Sequence, residues 1–131
     1  MNRVLLPEGW PRPKGYSNGM AARGRTIFTA GVVGWDETET FVSDTLAGQF
    51  AQALRNVLAV IGCDGAGPHN IARMTCYVTS IDDYLASAQE IGTAWRKIFD
   101  KHYPAMALVQ VVRLVEPKAL VEIEATAVVP E

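Results

Sequence analysis

Residues 105 to 114 read Ala-Met-Ala-Leu-Val-Gln-Val-Val-Arg-Leu, and no other stretch limits the possible folds as strongly. Side chains alternate along a strand, so Met106, Leu108, Gln110 and Val112 point one way and Ala107, Val109 and Val111 the other. Both sets are mostly apolar, which asks for cover on both sides of the sheet. The next strand, 119 to 129, sets Val121, Ile123, Ala125, Ala127 and Val129 against Leu120, Glu122, Glu124, Thr126 and Val128. The turn Val115-Glu116-Pro117-Lys118 separates the two.

The cover on one side comes from helices. Between Asp44 and Ile61, Leu46, Phe50, Leu54, Val57, Leu58 and Ile61 recur at three- and four-residue steps, the stripe of an amphipathic helix. Ser43 or Asp44 is expected to cap its start and Gly62 to end it in the left-handed conformation. Ser80-Ile81-Asp82-Asp83 resembles a capping box and opens a second helix, with Leu85, Ala88, Ile91, Gly92, Trp95, Ile98 and Phe99 on one face. Pro104 keeps that helix from extending. Between the helices, residues 71 to 79 read as a strand with Ala72, Met74, Cys76 and Val78 facing one way.

Residues 26 to 33 are β-branched and aromatic and end at Gly34, with Met20 to Arg23 as a candidate hairpin partner. The first nineteen residues hold Pro7, Pro11, Pro13, Gly9, Gly15 and Gly19 and are expected to form an irregular arm. The order is β(β)αβαββ, an α+β fold in one domain over residues 1–131, within the usual size of roughly 100–200 residues.

Two helices cover one face of such a sheet and leave the other bare. Burial is worth roughly 25 cal/mol per Å², so an apolar face left wet forfeits many kcal/mol, and a partner subunit is the economical cover. Glu122 and Glu124 then lie near a subunit boundary, where an ionised carboxylate needs donors.

A net charge of −2, with no run of Lys or Arg, argues against nucleic acid or a membrane surface as partner. Val4 to Leu6 is too short an apolar stretch for a secretory signal, which points to the cytosol. Cys63 and Cys76 show no CxxC spacing; Cys76 reads as a core residue and Cys63 as a loop thiol, and no metal site is expected. Dinucleotide loops, P-loops and nucleophile elbows are absent from the sequence, so no cofactor is expected.

The segment His102-Tyr103-Pro104-Ala105-Met106 through Val111-Val112-Arg113-Leu114 to Val121-Glu122-Ile123-Glu124-Ala125-Thr126-Ala127-Val128 resembles the C-terminal signature of RidA (YjgF-like) enamine/imine deaminases. Gly15-Tyr16, Thr29-Ala30-Gly31 and Arg55-Asn56-Val57-Leu58 match as well. The resemblance implies a chorismate-mutase-like fold, a mixed sheet with two helices on one face, and a homotrimer with a central β-barrel and small-molecule clefts between subunits. It also implies an arginine after Pro-Ala that grips the substrate carboxylate and a glutamate in the last strand that positions water. The glutamate falls at Glu122, the arginine position holds Met106, an expected asparagine falls at Ala88 and an expected cysteine at Leu108. An arginine offers a permanent charge and a two-pronged donor that methionine lacks, so the cleft is expected to be more apolar than in relatives.

Glu122 is the candidate catalytic base, since a carboxylate in an apolar interface has a raised pKa and can activate water; its alternative is an interface hydrogen-bonding residue. Tyr16, Gly31, Trp35, Met106 and Leu108 are the candidate ligand-binding residues, with Arg73, Arg113 and His102 further off. Tyr16 reads equally as a packing anchor, Gly31 as a β-bulge and Trp35 as a surface-packing aromatic. His102 is expected to end a helix and favour its dipole, and Arg113 to form a structural ion pair. Two functions compete: hydrolysis of an enamine or imine, and a non-catalytic metabolite-binding or regulatory trimer. A ribonuclease is the least favoured, given the acidic composition and the lack of a basic groove.

Overall fold

The computed structural model describes residues 2–131. A ribbon of two short antiparallel strands, β1 (Arg3–Leu5) and β2 (Gly19–Ala21), stands apart from the main sheet. The main sheet holds β3 (Arg25–Phe28), β4 (Val32–Val33), β5 (Ile71–Val78), β6 (Ala105–Gln110) and β7 (Val121–Val129). β7 lies between β5 and the β3–β4 pair and is antiparallel to all three, while β6 runs parallel to β5 at the edge. The helices are α1 (Leu46–Gly62), α2 (Ile81–Ala86) and α3 (Ala88–Phe99).

The expected α+β architecture is present, with the helices against one sheet face. The periodic stripe of α1 is the buried one: Leu46, Phe50, Ala53, Leu54, Val57 and Ile61 pack on Met74, Cys76, Val78, Val121, Ile123 and Ala125. Ile91, Trp95 and Phe99 of α3, spaced at i, i+4 and i+8, complete the core. Cys76 lies in this core, fully buried, and the burial pushes its thiol up to about 12. Cys63 is exposed, at the end of α1.

Several local expectations are corrected. Thr45, not Ser43 or Asp44, caps α1: its hydroxyl accepts the Gly48 N–H, and the Ser43 hydroxyl in turn accepts the Thr45 N–H. The left-handed residue past the helix is Gly65, at φ 83°, rather than Gly62, which is helical. The second helix divides at Ser87, so Ile81 and Tyr84 turn toward the core while Leu85 is exposed. Ser80 caps α2 through the Asp83 N–H as the capping pattern implies. Residues 20–23 form no hairpin with β3; Gly19–Ala21 pairs with Arg3–Leu5, so the arm is not wholly irregular.

The strand beginning at Ala105 stops at Gln110 because its one neighbour, β5, ends at Val78. Beyond that point the chain leaves as a loop, with Val112 and Val115 98% and 92% exposed. In β5 the ladder with β7 slips between Ile71 and Arg73, and Ala72 lies outside the buried set.

One buried polar residue ties these parts together. Gln49 of α1 is 1% exposed. Its amide donates to the carbonyls of Ser43 and Lys118 at 3.1 and 3.0 Å and accepts the Leu120 N–H at 2.8 Å. Both ends of the amide are satisfied, as burial requires.

Candidate functional site

Pairing register assigns every strand residue to a face. Met74 lies beside Met106 and Ala125, and Cys76 beside Leu108 and Ile123, all on the helix side. The residues between them, Arg73, Thr75 and Tyr77 of β5 with Glu122, Glu124 and Thr126 of β7, occupy the open face. Ala107 and Val109 of β6 continue that face and are exposed.

Glu122 and Gly31 meet at the junction of β3 and β4. Phe28 opposes Thr126 and Val32 opposes Ile123, so Thr29, Ala30 and Gly31 stand against only Glu124 and Ala125. This is a β-bulge. Thr29 holds its shape: its backbone N–H donates to the Ala125 carbonyl at 2.9 Å, its hydroxyl accepts the Ala125 N–H at 3.0 Å and donates to the Ala30 carbonyl at 2.7 Å. The bulge brings the Gly31 backbone under the Glu122 carboxylate, so that a Cβ there would force the carboxylate aside. Gly31 is therefore both a bulge residue and a close-approach residue.

No described group hydrogen-bonds the Glu122 carboxylate within the chain. Its neighbour across β5 is Tyr77, whose hydroxyl donates to Glu124 instead. That bond pushes the Tyr77 phenol above its ordinary range, burial adds to the shift, and the Glu124 and Glu122 charges act in the same sense.

The remaining candidates lie elsewhere in the single chain. Met106 and Leu108 pack against the core from the edge strand, and the Met106 sulfur is 3.9 Å from that of Cys76. Trp35 packs its ring on Phe41, with centroids 5.6 Å apart. Its carbonyl and that of Val33 accept from the Asn56 amide at 2.7 and 2.9 Å, so α1 fixes the chain just past β4. Nothing in the sequence pattern singled out that role for Asn56; its polar side chain beside the apolar stripe of α1 was the available signal.

Tyr16 is exposed on the arm, in a groove shared with Leu5, Arg12, Lys14, Lys101 and Tyr103. Ser17 pins this part of the arm to the head of β6: its backbone N–H and hydroxyl donate to the carbonyls of Pro104 and Tyr103, and it bridges to Ala105. One chain thus brings Gly31 to Glu122 on the open face and holds Tyr16 beside the head of the edge strand that carries Met106.

Two secondary expectations are corrected. α3 ends at Phe99, and the His102 ring donates from Nε2 to the Ile71 carbonyl at 2.7 Å, a link between chain segments and not a helix-end charge. Arg113 forms no ion pair among the described residues, where the one salt bridge joins Arg25 to Asp64 on the surface at 2.8 Å. No cluster of three or more His, Cys, Asp or Glu among the described residues is placed to hold a metal ion, and no helix there is long and apolar enough to cross a membrane.

Comparison with known proteins agrees with this geometry. The family model described as endoribonuclease L-PSP matches residues 11–129. A RutC family protein of Synechocystis is 34% identical over 133 residues, covering 98% of this chain and 97% of the relative. A 2-iminobutanoate/2-iminopropanoate deaminase of Salmonella typhimurium is 29% identical over 133 residues, covering 98% and 97%. The crystal structure of a Rid-family protein of unknown function from Yersinia pestis superposes with a TM-score of 0.84 at 31% identity, over 98% of both chains.

Proposed function

Because the chain belongs to the endoribonuclease L-PSP family, the YjgF/RidA group, we propose that it forms a cytosolic homotrimer whose inter-subunit clefts hydrolyse a small enamine or imine. Three chains close their open sheet faces on one another as a barrel. At each seam the Gly31–Glu122 corner of one chain meets the Tyr16, Met106 and Leu108 edge of the next, with Trp35 at the rim. This arrangement supplies what the lone chain lacks, a common wall for residues on opposite sheet faces.

The observation that carries the reading is the Gly31–Glu122 juxtaposition. It places an unengaged carboxylate over a backbone that has no side chain to shield it. In the proposed reaction Glu122 takes a proton from water as its oxygen bonds to the imine carbon. Glu122 passes that proton to the imine nitrogen to give the carbinolamine, and a second proton moves from the hydroxyl through Glu122 to the nitrogen as the C–N bond breaks, so that ammonia leaves and the carbon becomes a carbonyl. The nuclease of the family description is supported least: of two histidines, His102 is engaged with the Ile71 carbonyl.

The test is ammonia release from imines generated in situ by an amino-acid oxidase. Wild type should accelerate release and Glu122→Gln should lose roughly a hundredfold or more of that rate, the usual scale for a general base. No acceleration over buffer across small and aromatic imines would end the hydrolase reading.

A second reading, a trimer that binds a metabolite without turning it over, is favoured by Met106, which packs on the core where relatives of the deaminase kind are expected to place an arginine. Thermal stabilisation that grows with ligand concentration, without ammonia release, is its signature.

A further inference from the structure

A chain of hydrogen bonds that can run in one direction only joins α1 to the strand beside the candidate base. Asn56, half-buried on α1, donates both amide hydrogens to the chain at the end of β4, one to the Val33 carbonyl at 2.9 Å and one to the Trp35 carbonyl at 2.7 Å. Its own Oδ1 accepts from Gln52 at 2.9 Å, and Gln52 Oε1 accepts from Arg55 at 2.9 Å. A guanidinium only donates and a backbone carbonyl only accepts. Neither amide between them can turn over without setting oxygen against oxygen or nitrogen against nitrogen. Spacings of three and four residues put Gln52, Arg55 and Asn56 on one side of α1.

What these bonds hold is the floor of the Glu122 corner. β4 is two residues long and pairs with β7 alone, Val32 opposite Ile123 and Val33 opposite Glu122. A ladder that short is marginal by itself. Asn56 grips its far end, and Gly34, between the two carbonyls, lies so close to the Gln49 backbone that a side chain there would strike it. At the near end Thr29 is bonded to Ala125. Ala30 and Gly31 hang between these two anchors, and Gly31 is the backbone over which the Glu122 carboxylate stands.

We propose that Asn56 is a positioning residue of the site: it fixes the Gly31 backbone under Glu122 from the helix side of the sheet, and so sets the aim of the carboxylate without touching the ligand. This rests on the reading of Glu122 as the base, and adds to it a residue outside the cleft. A carboxamide supplies two donors from one neutral nitrogen to two carbonyls, whereas aspartate has the same shape and supplies none. Asn56→Asp therefore keeps the volume but sets a carboxylate against two carbonyl oxygens. Val33 and Trp35 then let go of α1, and the Gly31 floor shifts.

The test compares wild type with Asn56→Asp in the whole protein, by NMR with carboxyl-labelled glutamate and by ammonia release from imines. The Glu122 carboxyl resonance, identified by its loss in Glu122→Gln, should move in Asn56→Asp. In the same variant kcat should fall roughly tenfold or more, the scale of a misplacement of an ångström or less, while KM stays within about twofold because no cleft contact is removed. Asn56→Ser, uncharged and with one donor left, should show the same changes in smaller measure, and is read alone if Asn56→Asp does not fold. Gln52→Ala leaves both Asn56 donors in place and should keep the wild-type resonance and kcat. A role confined to holding the fold together would lower the melting temperature and leave the resonance and kcat as they were. That result, or a fall in kcat with the resonance unmoved, overturns the proposal. Absence of turnover in wild type ends the hydrolase reading instead, and the Glu122 resonance alone then decides for or against Asn56.

Discussion

The Glu122 carboxylate fills the space in which a side chain on Gly31 would begin: a Cβ placed there would overlap its Oε2 and carboxyl carbon. Real Cβ contacts do not come so near, so the two residues are matched, and changing one alters what the other can be. Gly31→Ala is expected to cost about 1 kcal/mol or less in urea unfolding, because the carboxylate is the far end of a flexible side chain that can turn aside. The same substitution in a Glu122→Ala background should cost measurably less, and the coupling between the two is the quantity to measure. Equal costs in both backgrounds would show that the carboxylate swings away freely.

Gln49 gives a second prediction. Gln49→Leu keeps the volume but strips the Leu120 N–H of its acceptor and the Ser43 and Lys118 carbonyls of their donor. Loss of about 2 kcal/mol or more is expected, the desolvation cost of buried groups left unpaired. A midpoint shift in urea with an unchanged slope checks it.

The two cysteines should separate cleanly. In the native protein a thiol reagent should modify Cys63 rapidly and Cys76 only on unfolding, because one is exposed and the other fully buried. Burial raises the Cys76 pKa from 9.0 to about 12. The folded state thus holds that proton more tightly than the unfolded chain, and the resulting stability is whole below pH 9 and fades as pH climbs toward 12. Cys76→Ala should remove a single proton from the alkaline slope of stability against pH, and an unchanged slope would refute the assignment.

Met106 tests the edge of the core. Met106→Leu is expected to be tolerated within about 1.5 kcal/mol, as volume-conserving exchanges are. Met106→Arg should cost more than Met106→Leu in urea unfolding, because the side chain at this position packs against buried apolar residues and the Cys76 sulfur.

What the sequence made legible follows how local each signal is. The α1 stripe and the alternation in β7 are encoded by neighbours three, four or two residues apart, and both match the buried sets seen here. Alternation also grouped Met106 with Leu108, but whether they share a face with Glu122 depends on the registers of β6 on β5 and of β5 on β7, which no local pattern carries. The same holds for Gly19–Ala21, whose partner is sixteen residues back at Arg3–Leu5 and not the adjacent β3. The Gly31–Glu122 contact joins residues ninety-one apart and was reachable from the family resemblance alone. Division of the second helix at Ser87 is not legible in the sequence because its apolar residues fit one continuous stripe, and the packing of Tyr84 near Phe50 shows the turn. The cations of the arm groove are not grouped by the sequence, because Arg12 and Lys14 lie far along the chain from Lys101.

The position of β7 has a bearing on how this protein comes into being on the ribosome. Three strands, β3, β4 and β5, find their hydrogen-bonded neighbour in residues 121–129, and the ladder from β5 to β6 is the one part of the main sheet made without them. Translation runs from the N-terminus, so the helices and four of the five strands emerge while their shared partner is still unmade. Through that interval the apolar sides of Ile27 and Ile71 have no ladder to settle into, and assembly of the sheet waits on the arrival of one late segment.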